Sequence, residues 1–322
     1  MPVVIRLISI TVTYKTGSLI KQKNMKYIVM AFLCLYLNQT IIAQTNNQAP
    51  DPVIYGSFQP RLLEQAPYAA WYKPNYEKYN ADPEILKRLQ QIRTRGLHIQ
   101  VFLGTWCGDS KREVPAFVKL LHQMQFPQQQ FQLIGLGGSD SLYKQSPAGE
   151  EKGLGIFRVP TFIVYQNNTE LGRINEYPIQ SLEADLLKIL SGQSYQPNYG
   201  SFSQLRDWLN NNILIHPNTS IRGLSQQVKN KVSNEYELNS LGQLLIKQGK
   251  PADGLKVLEM NTWLYPEAFM PHYALGNNYL LQKNYLQALL YLEKSLELNK
   301  ETQYTRHILN LLYEAKEKSK SL

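Results

Sequence analysis

Cysteine is almost missing from this chain. Only Cys34 and Cys107 occur among 322 residues, so no disulfide framework holds the fold and thiols cannot supply the roughly four ligands of a structural zinc site. The five histidines, His98, His122, His216, His272 and His307, show no metal-ligand spacing. Each reads as a core-edge or surface residue, and no metal is expected. Acidic residues are absent from residues 1 to 43, which carry Arg6, Lys15, Lys21, Lys23 and Lys26, and without that segment the formal charge of +9 falls to +4. The basic excess is therefore local. No Lys/Arg run with interleaved aromatics tracks a phosphate backbone, so no nucleic-acid partner is expected. Low-complexity and collagen-like stretches are also lacking, and the length suits about two domains.

Long apolar runs are missing too. The run in "MKYIVMAFLCLYL" (25–37) covers 11 residues, well short of the roughly 20 that span a bilayer. Its charged start, apolar middle and small residue Ala43 in "TIIAQT" read as a signal peptide, with residues 1–24 an upstream extension. Leu33 before Cys34 is too large for a lipid-attachment signal. The expectation is an exported chain, periplasmic or secreted after cleavage near Ala43, with no membrane span in the mature form. Cys34 would leave with that peptide. Cys107 then stands alone in an oxidising compartment, either buried and inert or reactive.

The stretch 44–80 reads as loop, with Tyr68, Trp71, Tyr72, Tyr76 and Tyr79 packing over a core edge. "DPEILKRLQQIRTRG" predicts a helix with Asp82 as N-cap, Pro83 at its first position and Gly96 past its end. "HIQVFLG" (98–104) and "FQLIGLG" (131–137) read as buried parallel strands flanking a helix over 111–124 that contains Pro115. "TFIVYQNNTELGRINEY" predicts a hairpin turning at Asn167 and Asn168, and 181–190 a closing helix. This order predicts a mixed α/β sheet with helices on both faces over 44–195.

Residues 196–234 read as a linker, with turn signals "QPNYG" and "HPNTS", and a leading helix. From 235 to 322 the pattern is helical and repeats. Leu241 and Gly242 recur as Leu275 and Gly276 after 34 residues, and the same register pairs Leu245 with Tyr279, Gly254 with Ala288 and Leu258 with Leu292. With Pro266 ending the first copy, 235–268 and 269–302 resemble two tetratricopeptide repeats, followed by a cap helix. Two copies are fewer than a stable array needs, so its open end must be covered by preceding helices or by the first domain. The inner groove, with Tyr273, Asn277 and Tyr279 as candidates, is a possible peptide surface. Packing between helices is the plainer role for Tyr279.

At 104–111 the chain reads "GTWCGDSK". A strand delivers Cys107 to a helix start, where unpaired amide N–H groups and the helix dipole favour an anion. Asp109 opposes that field, and Lys111 and Arg112 offset it. "VFLGTWCGDSKREVP" resembles the active-site strand and helix of the thioredoxin family, and "IFRVPTFIVYQNNTELGR" resembles the family's cis-proline segment. The resemblance spans about residues 90–192 and implies a thioredoxin-like fold, with Cys107 as nucleophile in the motif Trp106, Gly108, Asp109 and Ser110. It also implies that Val159, Pro160 and Thr161 form a substrate platform opposite the thiol.

Two departures matter. Ser110 replaces the resolving cysteine, and Val101 stands where many thioredoxins bury a carboxylate. Without a second thiol, Cys107 can join a partner but cannot release it. Three outcomes stay open: exchange resolved by an external thiol, a sensing thiol that is capped or oxidised, or a redox-silent binding module. Cys-Gly-x-Ser also resembles monothiol glutaredoxins with their iron-sulfur cluster, but Trp106 and the export signal speak against it, so no cofactor is expected. "GLGGSD" (135–140) lacks the Lys-Ser/Thr of a phosphate loop and reads as a loop bordering the thiol. The expected function is single-cysteine thiol-disulfide exchange on partner proteins, held through the mixed disulfide and the repeat groove.

Overall fold

The computed structural model describes residues 51–139 and 141–320. The expected signal peptide and upstream extension lie outside them. Among the described residues no helix is long and apolar enough to cross a membrane.

Five strands form one mixed sheet in the order β1-β3-β2-β4-β5: β1 Gly56–Phe58, β2 Leu97–Leu103, β3 Phe131–Gly135, β4 Thr161–Gln166 and β5 Thr169–Asn175. β2 and β3 pair in parallel, as their apolar runs suggest, and the other pairings are antiparallel. Asn167 and Asn168 both hold positive φ at the β4–β5 turn, the backbone that a two-residue hairpin loop requires.

The sheet's two faces are filled differently. Ile99, Val101, Leu103, Leu133, Phe162, Val164 and Ile174 point into one core, where they meet α1 (Ala69–Lys78), α2 (Pro83–Gln90), α3 (Gly108–Gln123) and α4 (Leu182–Leu190). Phe102, Ile134, Ile163 and Tyr165 point the other way, onto Leu154, Ile156 and Val159. This corrects the expectation of helices on both faces, because α1 to α4 all pack into the first core. The second face is covered by an irregular excursion between β3 and β4. Its composition explains the missing helix: Gly149, Gly153 and Gly155 all take positive φ, conformations that interrupt an α-helix and suit glycine.

Asp82 caps α2 as expected, accepting from the amides of Glu84 and Ile85 at 2.9 and 3.0 Å. Two segments read as loop are ordered elements. β1 is three residues, too short for a period-2 signal. α1 mixes Trp71, Tyr72 and Tyr76 with Ala, Asn, charged residues and Pro74, so it lacks a clear polar-apolar stripe, and packing of those three rings on the first core sustains it.

The segment read as linker holds α5 (Phe202–Asn210), and α6 (Ile221–Val228) follows. Then come α7 (Glu235–Lys247), α8 (Pro251–Leu264), α9 (Phe269–Leu281), α10 (Tyr285–Leu298) and α11 (Thr302–Ser319). The 34-residue register has a steric cause. A Cβ on Gly242 would lie 2.6 Å from Leu258, and one on Gly276 2.8 Å from Leu292, so each hairpin closes on a glycine. Phe202, Leu205, Trp208, Leu224 and Val228 cover the open side of α7 and α8, together with Phe157 from the excursion. At roughly 1.5–3 kcal/mol per fully buried large side chain, this shared cluster binds the helical region firmly to the sheet unit.

Candidate functional site

β2 ends at Leu103 and α3 begins at Gly108, so the four residues between them turn Cys107 to the helix start as its N-cap. The thiol is partly exposed and unpaired, and its S–H donates to the Val159 carbonyl oxygen at 3.2 Å. The Val159–Pro160 peptide is cis. The two motifs, 52 residues apart, therefore meet at the sulfur. Val159 and Thr161 are buried, the Thr161 hydroxyl donates to the Arg158 carbonyl at 2.7 Å, and the Pro160 carbonyl accepts from the Glu176 amide at 2.7 Å.

Trp106 lies against the loop after β3. Its indole N–H donates to the Leu136 carbonyl at 3.0 Å, and its ring sits 5.5 Å from that of Tyr143. A Cβ on Gly104 or Gly138 would come within 2.6 or 2.7 Å of the indole. The glycines of "GLGGSD" thus include one that makes room for Trp106. Gly108 is exposed, with open space where a Cβ would go.

Ser110 is fully buried, and its hydroxyl oxygen accepts from the Gly104 amide at 3.2 Å. Val101 is also fully buried, within the first core. Asp109 pairs with Arg112 at 2.7 Å, one turn away. Lys111, expected to offset Asp109, instead pairs with Asp51 at 2.7 Å, and Asp51 also accepts from the Trp71 indole at 2.9 Å. Asp51 is thereby fastened to α3.

The excursion brings in groups that motif reading missed. Lys144 is only 8% exposed, and its amine donates to the Phe157 carbonyl at 2.9 Å, two residues before the carbonyl that holds Cys107. Burial, and secondarily Arg158, lower its pKa to about 8, although Glu176 and Cys107 pull upward. Arg158 pairs with Glu176 at 3.6 Å and lies 4.7 Å from the Tyr199 ring. It also donates to the Ser240 hydroxyl on α7 at 2.7 Å. Gln248, after α7, donates to the Tyr143 carbonyl at 3.2 Å, and Lys247 lies 4.9 Å from the Tyr143 ring. Helix α7 is therefore tied to the excursion and to the segment that precedes Pro160. No spacing rule announces these residues, because the excursion, the end of β5 and α7 are far apart in the chain.

His98 stacks on Tyr165 at 4.5 Å and His122 faces the Tyr76 hydroxyl at 2.9 Å. Neither meets the sulfur. Among the described residues no group of three or more His, Cys, Asp or Glu is arranged to hold a metal. In the helical region Tyr279 stacks on Tyr291 at 5.7 Å, and Tyr273 packs against Tyr304 and His307 of α11. Asn277 is partly exposed. Comparison with family models, with curated proteins and with solved structures found no match to this chain.

Proposed function

We propose that this chain is an exported thiol-disulfide exchange protein that uses one cysteine, built from a thioredoxin-like unit and two tetratricopeptide-like repeats. The observation that carries the reading is the partly exposed Cys107 sulfur at the start of α3, 3.2 Å from the Val159 carbonyl. A helix start is where a thiolate is stabilised. The neighbouring carbonyl gives the reaction a docking edge. When Cys107 enters a mixed disulfide its S–H is gone, and the Val159 carbonyl becomes free to accept from the backbone of an extended partner segment.

With Ser110 at the resolving position, release of that partner falls to an external thiol. The repeats, tied through α7 to the segment before Pro160, select the protein that reaches the sulfur. A trapping experiment tests this. The parent should form reducible adducts with partner proteins through Cys107, and Cys107→Ala should form none. Identical partner sets from the two would sink the exchange reading and favour a redox-silent binding module, a reading that the sealed Ser110 and apolar Val101 support.

A further inference from the structure

The exchange reading leaves a proton without an owner. A thiol must lose one before it attacks a disulfide, and the departing thiolate must gain one. Val101 and Ser110 offer no carboxylate or thiol for the task. Lys144 is placed for it.

Its amine reaches the Phe157 carbonyl at 2.9 Å, while the Cys107 sulfur reaches the Val159 carbonyl at 3.2 Å, so both polar tips meet one three-residue stretch. Phe157 is the one carbonyl acceptor of that amine among the described residues. The Tyr143 ring lies 5.3 Å from it. A buried ammonium with so few partners is costly, and the neutral amine is a base. The backbone at Lys144 is held in place, since the Lys144 amide donates to the Gly137 carbonyl at 2.8 Å and the Gly137 amide in turn donates to the Gln145 carbonyl at 2.9 Å. The charged and titratable groups facing it are Arg158 on its own excursion, Glu176 beyond β5, Cys107 at α3, and, across the Tyr143 ring, Lys247 of α7.

We propose, resting on the exchange reading, that Lys144 is the proton acceptor and donor for the Cys107 thiol. The neutral amine takes the proton from S–H, leaving a thiolate beside an ammonium. The thiolate then attacks one sulfur of a protein disulfide. A Cys107–sulfur bond forms as the old sulfur–sulfur bond breaks, and its electron pair leaves on the second sulfur. That thiolate takes the proton from the Lys144 ammonium. The balance is one thiol and one disulfide converted to one mixed disulfide and one thiol.

Reaction rates of the whole chain with two small disulfides test the assignment, read at the Cys107 peptide by mass spectrometry. Dithiodipyridine releases a stable thione and needs no proton donor, whereas hydroxyethyl disulfide releases a basic alkyl thiolate. Lys144→Gln should slow the first reaction at pH 7 only modestly, since its thione leaving group needs no proton and only the proton acceptor is lost. It should slow the second about a hundredfold, the usual scale of lost general acid catalysis. Lys144→Arg, which keeps the charge but not a transferable proton, should spare the first reaction and still slow the second. Lys144→Met serves as the apolar control should the amide in Lys144→Gln disturb folding, which circular dichroism reports. Equal losses with both disulfides, or none, would overturn the role of Lys144 while leaving exchange standing. A parent Cys107 inert to both reagents until the chain unfolds would overturn the exchange reading and the proposal together.

Discussion

The hydroxyl oxygen of Ser110 accepts a hydrogen bond from the Gly104 amide at 3.2 Å, and the Ser110 side chain is wholly buried. Gly104 follows β2 and Ser110 lies in the first turn of α3, so this bond closes the turn that presents Cys107. The serine is thus an integral part of the strand-to-helix junction. Its oxygen satisfies a buried amide that no other described side chain reaches.

Ser110→Ala removes that acceptor and strands the amide. The expected loss is about 1–3 kcal/mol of stability, read by urea denaturation. Ser110→Cys supplies a second thiol, and under the exchange reading partner adducts that persist on the parent should release without added reductant.

Gly138→Ala should force the Trp106 indole off its seat, since the new Cβ would lie 2.7 Å from ring carbons. Overpacking of this kind costs about 1–3 kcal/mol. The fluorescence of Trp106 should shift as its bond to Leu136 is lost, measured against a Trp106→Phe background.

Arg158 and Ser240 join the segment before Pro160 to α7 at 2.7 Å. Ser240→Ala should cost about 1 kcal/mol and Arg158→Ala more, because the Glu176 pair goes with it. The double variant should be no worse than Arg158→Ala alone. Full additivity in denaturation would show that the bond does not couple the two regions.

Gly276→Ala should loosen the last hairpin, because its Cβ would meet Leu292 at 2.8 Å. The expected cost is about 1–3 kcal/mol, seen as faster hydrogen exchange in α9 and α10.

Burial lowers the Lys144 pKa from 10.5 to about 8. Between those values the unfolded chain binds a proton there that the folded chain does not, so this group's contribution to stability rises with pH. Below pH 8 the penalty is fully present, on the order of 3 kcal/mol for a shift of that size. Lys144→Met should therefore be the more stable chain at pH 7, with the difference shrinking toward pH 10. A difference independent of pH would mean that Lys144 keeps its proton in the folded state.

The strands, the Asn167–Asn168 hairpin, the Asp82 cap and the 34-residue register were legible because each rests on local pattern: apolar runs, turn chemistry, capping and periodicity. The pairing of "WCGDS" with the proline segment was legible as a resemblance, and the folded chain places Cys107 against Val159. α1 escaped because rings and Pro74 blur its stripe, although α5 carried a readable spacing in Phe202, Leu205 and Trp208 that the flanking turn signals masked. The single-faced packing of the early helices was invisible, since the glycine-rich excursion reveals where it lies only once β3 and β4 have set its ends.

The sequence by itself determined that Cys107 stands at a helix start with serine in place of a second thiol, because adjacency along the chain fixes that much. Only the tertiary structure decided what surrounds the sulfur. Lys144 and Arg158 come from the excursion, Glu176 from the end of β5 and Ser240 from α7, spread over nearly a hundred residues, and long-range packing, which no local period encodes, brings these stretches together.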